Sequence, residues 1–326
     1  MSPVFTLRFD FRLGPASPCT MQQLYATALD MSAWADGVGA SAVVFSEHHA
    51  SPDGYLPSPL VLVAAAAART TTVPLSVAAL LALMYDPVKL AEDMAVLDHL
   101  SGGRVSYVIG LGYRVEEFAM FGVDPTRRAA LIEEHLDVLK RALAGERFEW
   151  RGRSVHVTPA PRSSGGPLLI YGGGSAAAAR RAARFGMLFL PQRSDPALAA
   201  AYDTEAERVG NPPGMTMAPP PGAPQSVFVV DDVDEAWPLY GPHLLHDATI
   251  YDQWMAAAGV DAVVRSAATT IDELRVEDGS YRLVTVAGAR DLLTEHGTLG
   301  LQPLCGGLPP DLAWRSLRLV EQLRSP

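Results

Sequence analysis

Two adjacent histidines follow a glutamate in the run Phe45-Ser46-Glu47-His48-His49. A neutral imidazole titrates near working pH, so either ring could act as a general base or a hydrogen-bond donor. The run closes an apolar stretch, Ala42–Phe45, that reads as a strand. Side chains alternate along extended backbone, so neighbouring histidines point to opposite sides. One can face a binding site while the other packs against neighbouring elements. His48 and Glu47 are therefore candidate catalytic residues. A purely structural, hydrogen-bonding histidine is the competing reading of the same residues.

The set Glu47, His48, His49 and Asp53 could also suggest a metal. Metal-dependent barrel hydrolases carry His-x-His on the first strand, where this chain has Phe9-Asp10-Phe11-Arg12, and the helical HExxH pattern is absent. No metal site is expected. A second cluster is Tyr171-Gly172-Gly173-Gly174-Ser175, which enters an alanine-rich helix. Glycines let backbone approach a ligand, and the free N–H groups of a helix start favour an anion. A phosphate is the expected occupant, with Ser175 as helix cap. Gly110-Leu111-Gly112 lacks the third glycine of a dinucleotide fingerprint, because Val115 stands in its place. It still admits a flat ligand. Ala78-Ala79 leave a gap of small side chains at the end of another strand.

Alternating strands and helices must position these clusters. Strands are predicted at Val4–Phe9, Ala42–Phe45, Pro74–Leu81, Val105–Ile109, Leu168–Tyr171, Leu188–Leu190, Ser226–Val230 and Gly300–Leu304. Helix starts are marked by Thr20 and by Asp86-Pro87, a cap before a first-turn proline. A small hairpin joins Phe148–Trp150 to Val155–Val157. Residues 232–297 read as two or three helices before the last strand. Eight strands alternating with helices predict parallel pairing and a single (β/α)₈ TIM barrel spanning residues 1–326, with insertions largest around 191–297. Active sites of such barrels lie at the C-terminal strand ends, where the glutamate–histidine and glycine clusters fall.

The chain of 326 residues is 48% hydrophobic and 19% charged, enough for a large core, with a formal net charge of −10. That charge repels phosphate backbones, and no basic stripe is present, so nucleic acid is not an expected partner. Cys19 and Cys305 are far apart and suggest no disulfide framework. The first twelve residues carry Arg8, Asp10 and Arg12 and lack a leader's apolar core. The longest apolar run, Leu60 to Ala68, falls short of the about 20 residues that span a bilayer. A cytoplasmic protein without membrane contact is expected.

In this order the pieces resemble the bacterial luciferase-like flavin-dependent monooxygenases. The resemblance rests on Phe45-Ser46-Glu47-His48-His49, on Val77-Ala78-Ala79-Leu80 and Asp86-Pro87-Val88, and on Leu97 to Arg104, which ends Ser101-Gly102-Gly103-Arg104. Glu117-Phe118, Phe121-Gly122, the Gly-Gly-Gly-Ser entry and Cys305-Gly306-Gly307-Leu308-Pro309 extend it. It covers residues 4–190 and resumes near 300. It implies a barrel that binds reduced FMN, or alternatively F420, over a non-proline cis peptide at Ala78-Ala79. Gly110 and Gly112 would admit the ring. Gly172, Gly173, Gly174 and Ser175 would hold the phosphate. His48 would stand near the reactive face, with Glu47 as its partner.

The resemblance also implies O₂ and a small organic substrate, a separate flavin reductase, and a homodimer. Light-emitting members end the fourth strand in a reactive cysteine and then an arginine. Gly110 and Leu111 stand there in this chain, which argues against light emission and shifts phosphate neutralisation toward Arg128. An F420-dependent hydride-transfer enzyme and a non-catalytic flavin-binding homologue are the alternatives. Phe9, Phe11, Tyr113 and the 191–250 region are expected to line the substrate pocket.

Overall fold

A computed structural model of the chain describes residues 4–260, 262, 264–277 and 279–324. In chain order the elements are β1 (Phe5–Phe9), α1 (Met21–Val38), β2 (Ala42–Phe45), α2 (Pro59–Arg69), β3 (Leu75–Leu81), α3 (Pro87–Ser101) and β4 (Val105–Gly110). There follow α4 (Val115–Met120), α5 (Arg128–Leu143), the hairpin β5 (Phe148–Trp150) and β6 (Arg153–Val155), β7 (Leu168–Gly173), α6 (Ala176–Arg184), β8 (Leu188–Pro191) and α7 (Pro196–Val209). The chain closes with β9 (Ser226–Val229), α8 (Val233–Ala258), α9 (Ile271–Val276), β10 (Tyr281–Val284), α10 (Val286–His296), β11 (Leu299–Leu301) and α11 (Pro310–Glu321). This is an α/β fold of the (β/α)₈ class that the alternation predicts, with parallel strands and covering helices. Among the described residues no helix is long and apolar enough to cross a membrane.

The chain divides into two compact units. The first holds the residues up to Ser46, Ser51–Pro57 and the chain from Pro219 onward. Its parallel strands run in the order β10-β9-β11-β1-β2. The second holds Glu47–Ala50 and Ser58–Ala218, with parallel strands in the order β3-β4-β7-β8.

Local chemistry sets the helix ends. Thr20 and Gln23 form a reciprocal capping box on α1. Asp86 accepts the Val88 and Lys89 N–H groups ahead of Pro87, and Gly102 closes α3 in the left-handed conformation. Three differences from the sequence reading stand out. Residues 232–297 contain, besides α8, α9 and α10, the strand β10, so parallel strands number nine among the described residues rather than eight. The last strand ends at Leu301, not Leu304, because Cys305–Gly307 form a tight turn. A Cβ on Gly306 (φ 57°) would lie 2.1 Å from the His243 carbonyl oxygen, so the turn admits only glycine there. The hairpin's second strand is Arg153–Val155, two residues earlier than expected.

Phe9 and Phe11, expected to line a pocket, are 1% and 0% exposed. They stack on each other at 5.7 Å, against Phe45 and Tyr25, inside the first unit. Beside them lies a buried charge cluster. The Arg12 guanidinium meets Asp53 at 2.7 Å and Asp247 at 2.8 Å. It sits 4.4–4.7 Å from the ring centroids of Tyr55, Tyr251 and Trp254. Asp10, which accepts from Gln302 Nε2 at 2.7 Å, is fully buried next to Asp247.

Burial, with the Asp247 charge, raises the Asp10 carboxyl to about 8 against the pull of Arg12 and Arg8. An acid whose folded pKa is raised binds its proton more tightly when folded. Stability therefore falls as pH climbs from the unfolded value toward the folded one. Asp10→Asn, which mimics the protonated acid, is expected to flatten the fall in urea midpoint between about pH 5 and about pH 8. An unchanged slope would assign the pH dependence elsewhere.

Candidate active site

Glu47–Ala50 belong to the second unit and bring two histidine–carboxylate pairs together. His48 Nδ1 lies 2.8 Å from Glu117 Oε1, and His49 Nε2 lies 2.9 Å from Glu47 Oε1. The two rings thus turn different nitrogens toward their carboxylates. Glu117 comes from α4. Its Oε1 also accepts the His49 backbone N–H at 2.9 Å and faces Arg114 Nη1 at 3.5 Å. Arg114 in turn donates to the His49 carbonyl at 2.5 Å. Both side chains are buried. Burial alone would raise the Glu117 carboxyl. The His48 hydrogen bond and charge, the His49 N–H and Arg114 outweigh it and hold the group below the usual carboxylate range.

Glu47 is placed differently from expectation. Its partner is His49, not His48. It also accepts the Leu81 N–H at 2.7 Å and the Tyr85 hydroxyl at 2.6 Å. With three donors converging on it, this carboxylate fastens the histidine segment to the end of β3. Burial, then the Glu47 charge, pushes the Tyr85 phenol well up, so Tyr85 stays a donor.

The peptide Ala78-Ala79 is cis, at the position the resemblance implied. The pairing of β3 with β4 shifts there, between Ala78 and Leu80. A Cβ on Gly110 would come within 2.8 Å of the Ala79 Cβ, so the two strand ends meet without room for a side chain. Gly112 (φ 78°) lies against Phe118.

At the end of β7, Gly172 and Gly173 pair with Leu190 and Pro191. Added Cβ atoms on Gly173 and Gly174 would meet Ala178 Cβ at 2.6 Å and Gln192 Oε1 at 2.5 Å. Ser175 is the α6 cap and accepts the Ala178 N–H at 3.2 Å. Its hydroxyl oxygen is therefore engaged locally. Arg128 stands in the first turn of α5 with its guanidinium 5.9 Å from the Phe118 ring, beside the residue that follows Glu117.

Three participants escaped the sequence reading. In the sequence Glu117 shows only as part of a motif, and its spacing of three from Arg114 is the available sign of a shared helical face. Tyr113, expected merely to line a pocket, places its hydroxyl 3.3 Å from His48 Nε2. Tyr85 gave no sign at all. Conversely, Ser101-Gly102-Gly103-Arg104 is structural. The Arg104 guanidinium bonds the carbonyls of Ala67, Thr70 and Val73 and the Thr70 hydroxyl. Among the described residues no group of three or more His, Cys, Asp or Glu could hold a metal ion.

Comparison with known proteins bears on this arrangement. The sequence model of luciferase-like monooxygenases matches residues 9–291. The 4-hydroxyprotoasukamycin monooxygenase of Streptomyces nodosus subsp. asukaensis is 30% identical over 148 residues, which are 43% of this chain and 40% of that protein. Curated relatives of this kind are matched over about two fifths of their length or less. Whole-chain likeness comes from solved structures. The monooxygenase RslO1 from Streptomyces bottropensis superposes with a TM-score of 0.75 at 24% identity, covering 98% of each chain. The oxygenating constituent of 3,6-diketocamphane monooxygenase from Pseudomonas putida, solved in complex with FMN, gives 0.73 at 19% identity over 100% of this chain and 99% of that one. These structural likenesses establish the fold, and the sequence match establishes the family: the chain belongs to the luciferase-like monooxygenases.

Proposed function

We propose that the chain is the oxygenase of a two-component flavin monooxygenase, taking reduced FMN from a separate reductase and using O₂ to oxidise a small organic substrate. One observation carries the reading. A buried His48–Glu117 pair is bound through its neighbours His49 and Glu47 to the side-chain-poor ends of β3 and β4. Family membership supports it.

The residues fit a flavin. Ala78, Ala79 and Gly110 offer a bed without bulky side chains, while Gly172–Gly174 are required as glycines by packing, since added Cβ atoms would meet Val108, Ala178 and Gln192. When bound, reduced FMN supplies the electrons with which O₂ is activated. The glycine loop and the start of α6 would take the phosphate through backbone N–H groups, with Arg128 as a further cation. Glu117 holds the Nδ1 side of His48, and Nε2, which faces the Tyr113 hydroxyl, is the nitrogen that accepts or returns a proton. On the resemblance, the enzyme works in the cytoplasm as a homodimer. FMN is preferred to F420 because the acidic tail of F420 asks for a basic groove, and the net charge is −10.

The test is anaerobic titration with reduced FMN and with reduced F420, followed by mixing with O₂. Saturable FMN binding and a faster flavin reoxidation than in buffer are expected. Binding of F420 alone would replace this reading by hydride transfer. FMN binding with reoxidation unchanged by His48→Ala would point to the non-catalytic homologue.

A further inference from the structure

We propose that Tyr113 is the residue that touches the reacting molecule, and that His48 stands one hydrogen bond behind it in a Glu117–His48–Tyr113 proton relay. The inference rests on the flavin monooxygenase reading and assigns the acid–base work within that site. His48 is 7% exposed. Its Nδ1 is taken by Glu117 at 2.8 Å, and its Nε2 faces the Tyr113 hydroxyl at 3.3 Å. The Tyr113 ring also meets the imidazole edge-on, with centroids 5.4 Å apart. Tyr113, by contrast, is half-exposed.

An ionised carboxylate can only accept, so the neutral imidazole carries its proton on Nδ1 and offers a lone pair at Nε2. The phenolic O–H is the donor that meets this lone pair. Tyr113 follows Gly110-Leu111-Gly112 on the loop that leaves β4, and Gly110 is the residue whose added Cβ would touch Ala79. The hydroxyl is therefore carried by the loop that leaves the small-residue end of β4. The order carboxylate, imidazole, hydroxyl is that of a nucleophile or acid activated by a base with its own orienting group.

The transfer balances in both directions. To deliver a proton, Nε2–H of the His48 imidazolium passes it to Tyr113 Oη as the phenolic proton moves to the reacting molecule. The imidazole is left neutral against the Glu117 carboxylate, and Tyr113 remains a phenol. To collect a proton, the same two bonds form and break in reverse. No electrons change hands. Oxidation of the reduced FMN anion by O₂ to hydrogen peroxide consumes one proton, so it reports on delivery without knowledge of the organic substrate.

Tyr113→Phe keeps the ring and removes only the hydroxyl. In the full-length variant, reduced FMN should bind as in the wild type, while peroxide release slows about 10-fold or more. The solvent deuterium isotope effect on that rate should weaken. Nitrogen-15 imidazole shifts should show Nδ1 protonated in the wild type and in Tyr113→Phe. An Nε2-protonated neutral ring in the wild type would overturn the relay whatever the flavin chemistry. Wild-type rate and isotope effect in Tyr113→Phe, with His48→Ala slow, would also overturn it and make His48 the direct base, leaving the flavin reading intact. Failure of the wild type to bind reduced FMN would bring down that reading and the relay with it.

Discussion

Arg12→Ala is expected to lower the stability of the protein by about 3–5 kcal/mol, the cost of stripping one partner from a buried ion pair. The guanidinium is 0% exposed and binds two carboxylates that are themselves 7% and 0% exposed. Asp53 and Asp247 would lose that cation in a buried site. The three rings around it would lose cation–π attraction worth about 2 kcal/mol in a desolvated site and would face a cavity. Against a typical total of about 5–15 kcal/mol, this is a large share.

The pH dependence should shift as well. Burial would raise the Asp53 carboxyl, but its hydrogen bond from His246 and the Arg12 charge hold it well below the usual range. A depressed folded pKa adds stability above the unfolded value, and that stability is lost as pH falls through the folded one. Without Arg12 the gain shrinks, so acid unfolding should begin at higher pH. Urea midpoints measured from about pH 3 to about pH 7 check both statements. Arg12→Lys keeps the charge but not the planar fork, and should recover only part of the loss. A loss below about 1 kcal/mol for Arg12→Ala would mean that the carboxylates protonate or rearrange at little cost.

This cluster shows where sequence reasoning stopped. Arg8, Asp10 and Arg12 register as charges that argue against an apolar leader. Nothing local says that they are core residues, because charged side chains are almost never fully buried unless paired. Asp53 and Tyr55 come from the loop after β2, and the other partners, Asp247, Tyr251, Trp254 and Gln302, lie more than two hundred residues away. The strands of both units, in contrast, were legible one by one, since each is an apolar run bounded by a cap, a proline or a glycine. Strand β10 is no shorter than β2 or β9, but it lies between α9 and α10 in a stretch that reads as helical throughout.

The site was half legible for a related reason. His48 stood out by type and position, and the small residues at Ala78-Ala79 and Gly172–Gly174 marked places where a ligand is expected to approach backbone. Pairing did not stand out. Glu47 is the neighbour in sequence, yet side-chain alternation turns it toward His49. The carboxylate that serves His48 arrives from α4, 69 residues on. Sequence adjacency favoured the wrong glutamate because a strand end places consecutive residues on opposite faces.

Glu117→Ala should therefore do more damage than Glu47→Ala at the candidate site, although Glu47 is the nearer residue. Removing Glu117 leaves the Arg114 guanidinium buried beside an empty space. It also strips the acceptor from the His48 ring and from the His49 backbone N–H. A loss of about 3–5 kcal/mol is expected, in the range for breaking a buried charge pair. Glu117→Gln retains an acceptor oxygen and should cost about 1–3 kcal/mol, mostly for the lost charge opposite the Arg114 guanidinium. The two variants separate packing from charge.

The lowered Glu117 pKa fixes the sign on pH. Stability from this carboxylate is present above its unfolded pKa and fades as pH falls through the folded one. Glu117→Gln should therefore be penalised most near neutral pH and converge on the wild type in acid. The amide cannot anchor Nδ1–H as a charged acceptor does, so the His48 tautomer should become mixed in the nitrogen-15 spectrum. Glu47→Gln should leave that tautomer unchanged, while loosening the contact with Leu81 N–H. If Glu47→Gln disturbed the His48 tautomer and Glu117→Gln did not, the pairing described for the two histidines would be reversed.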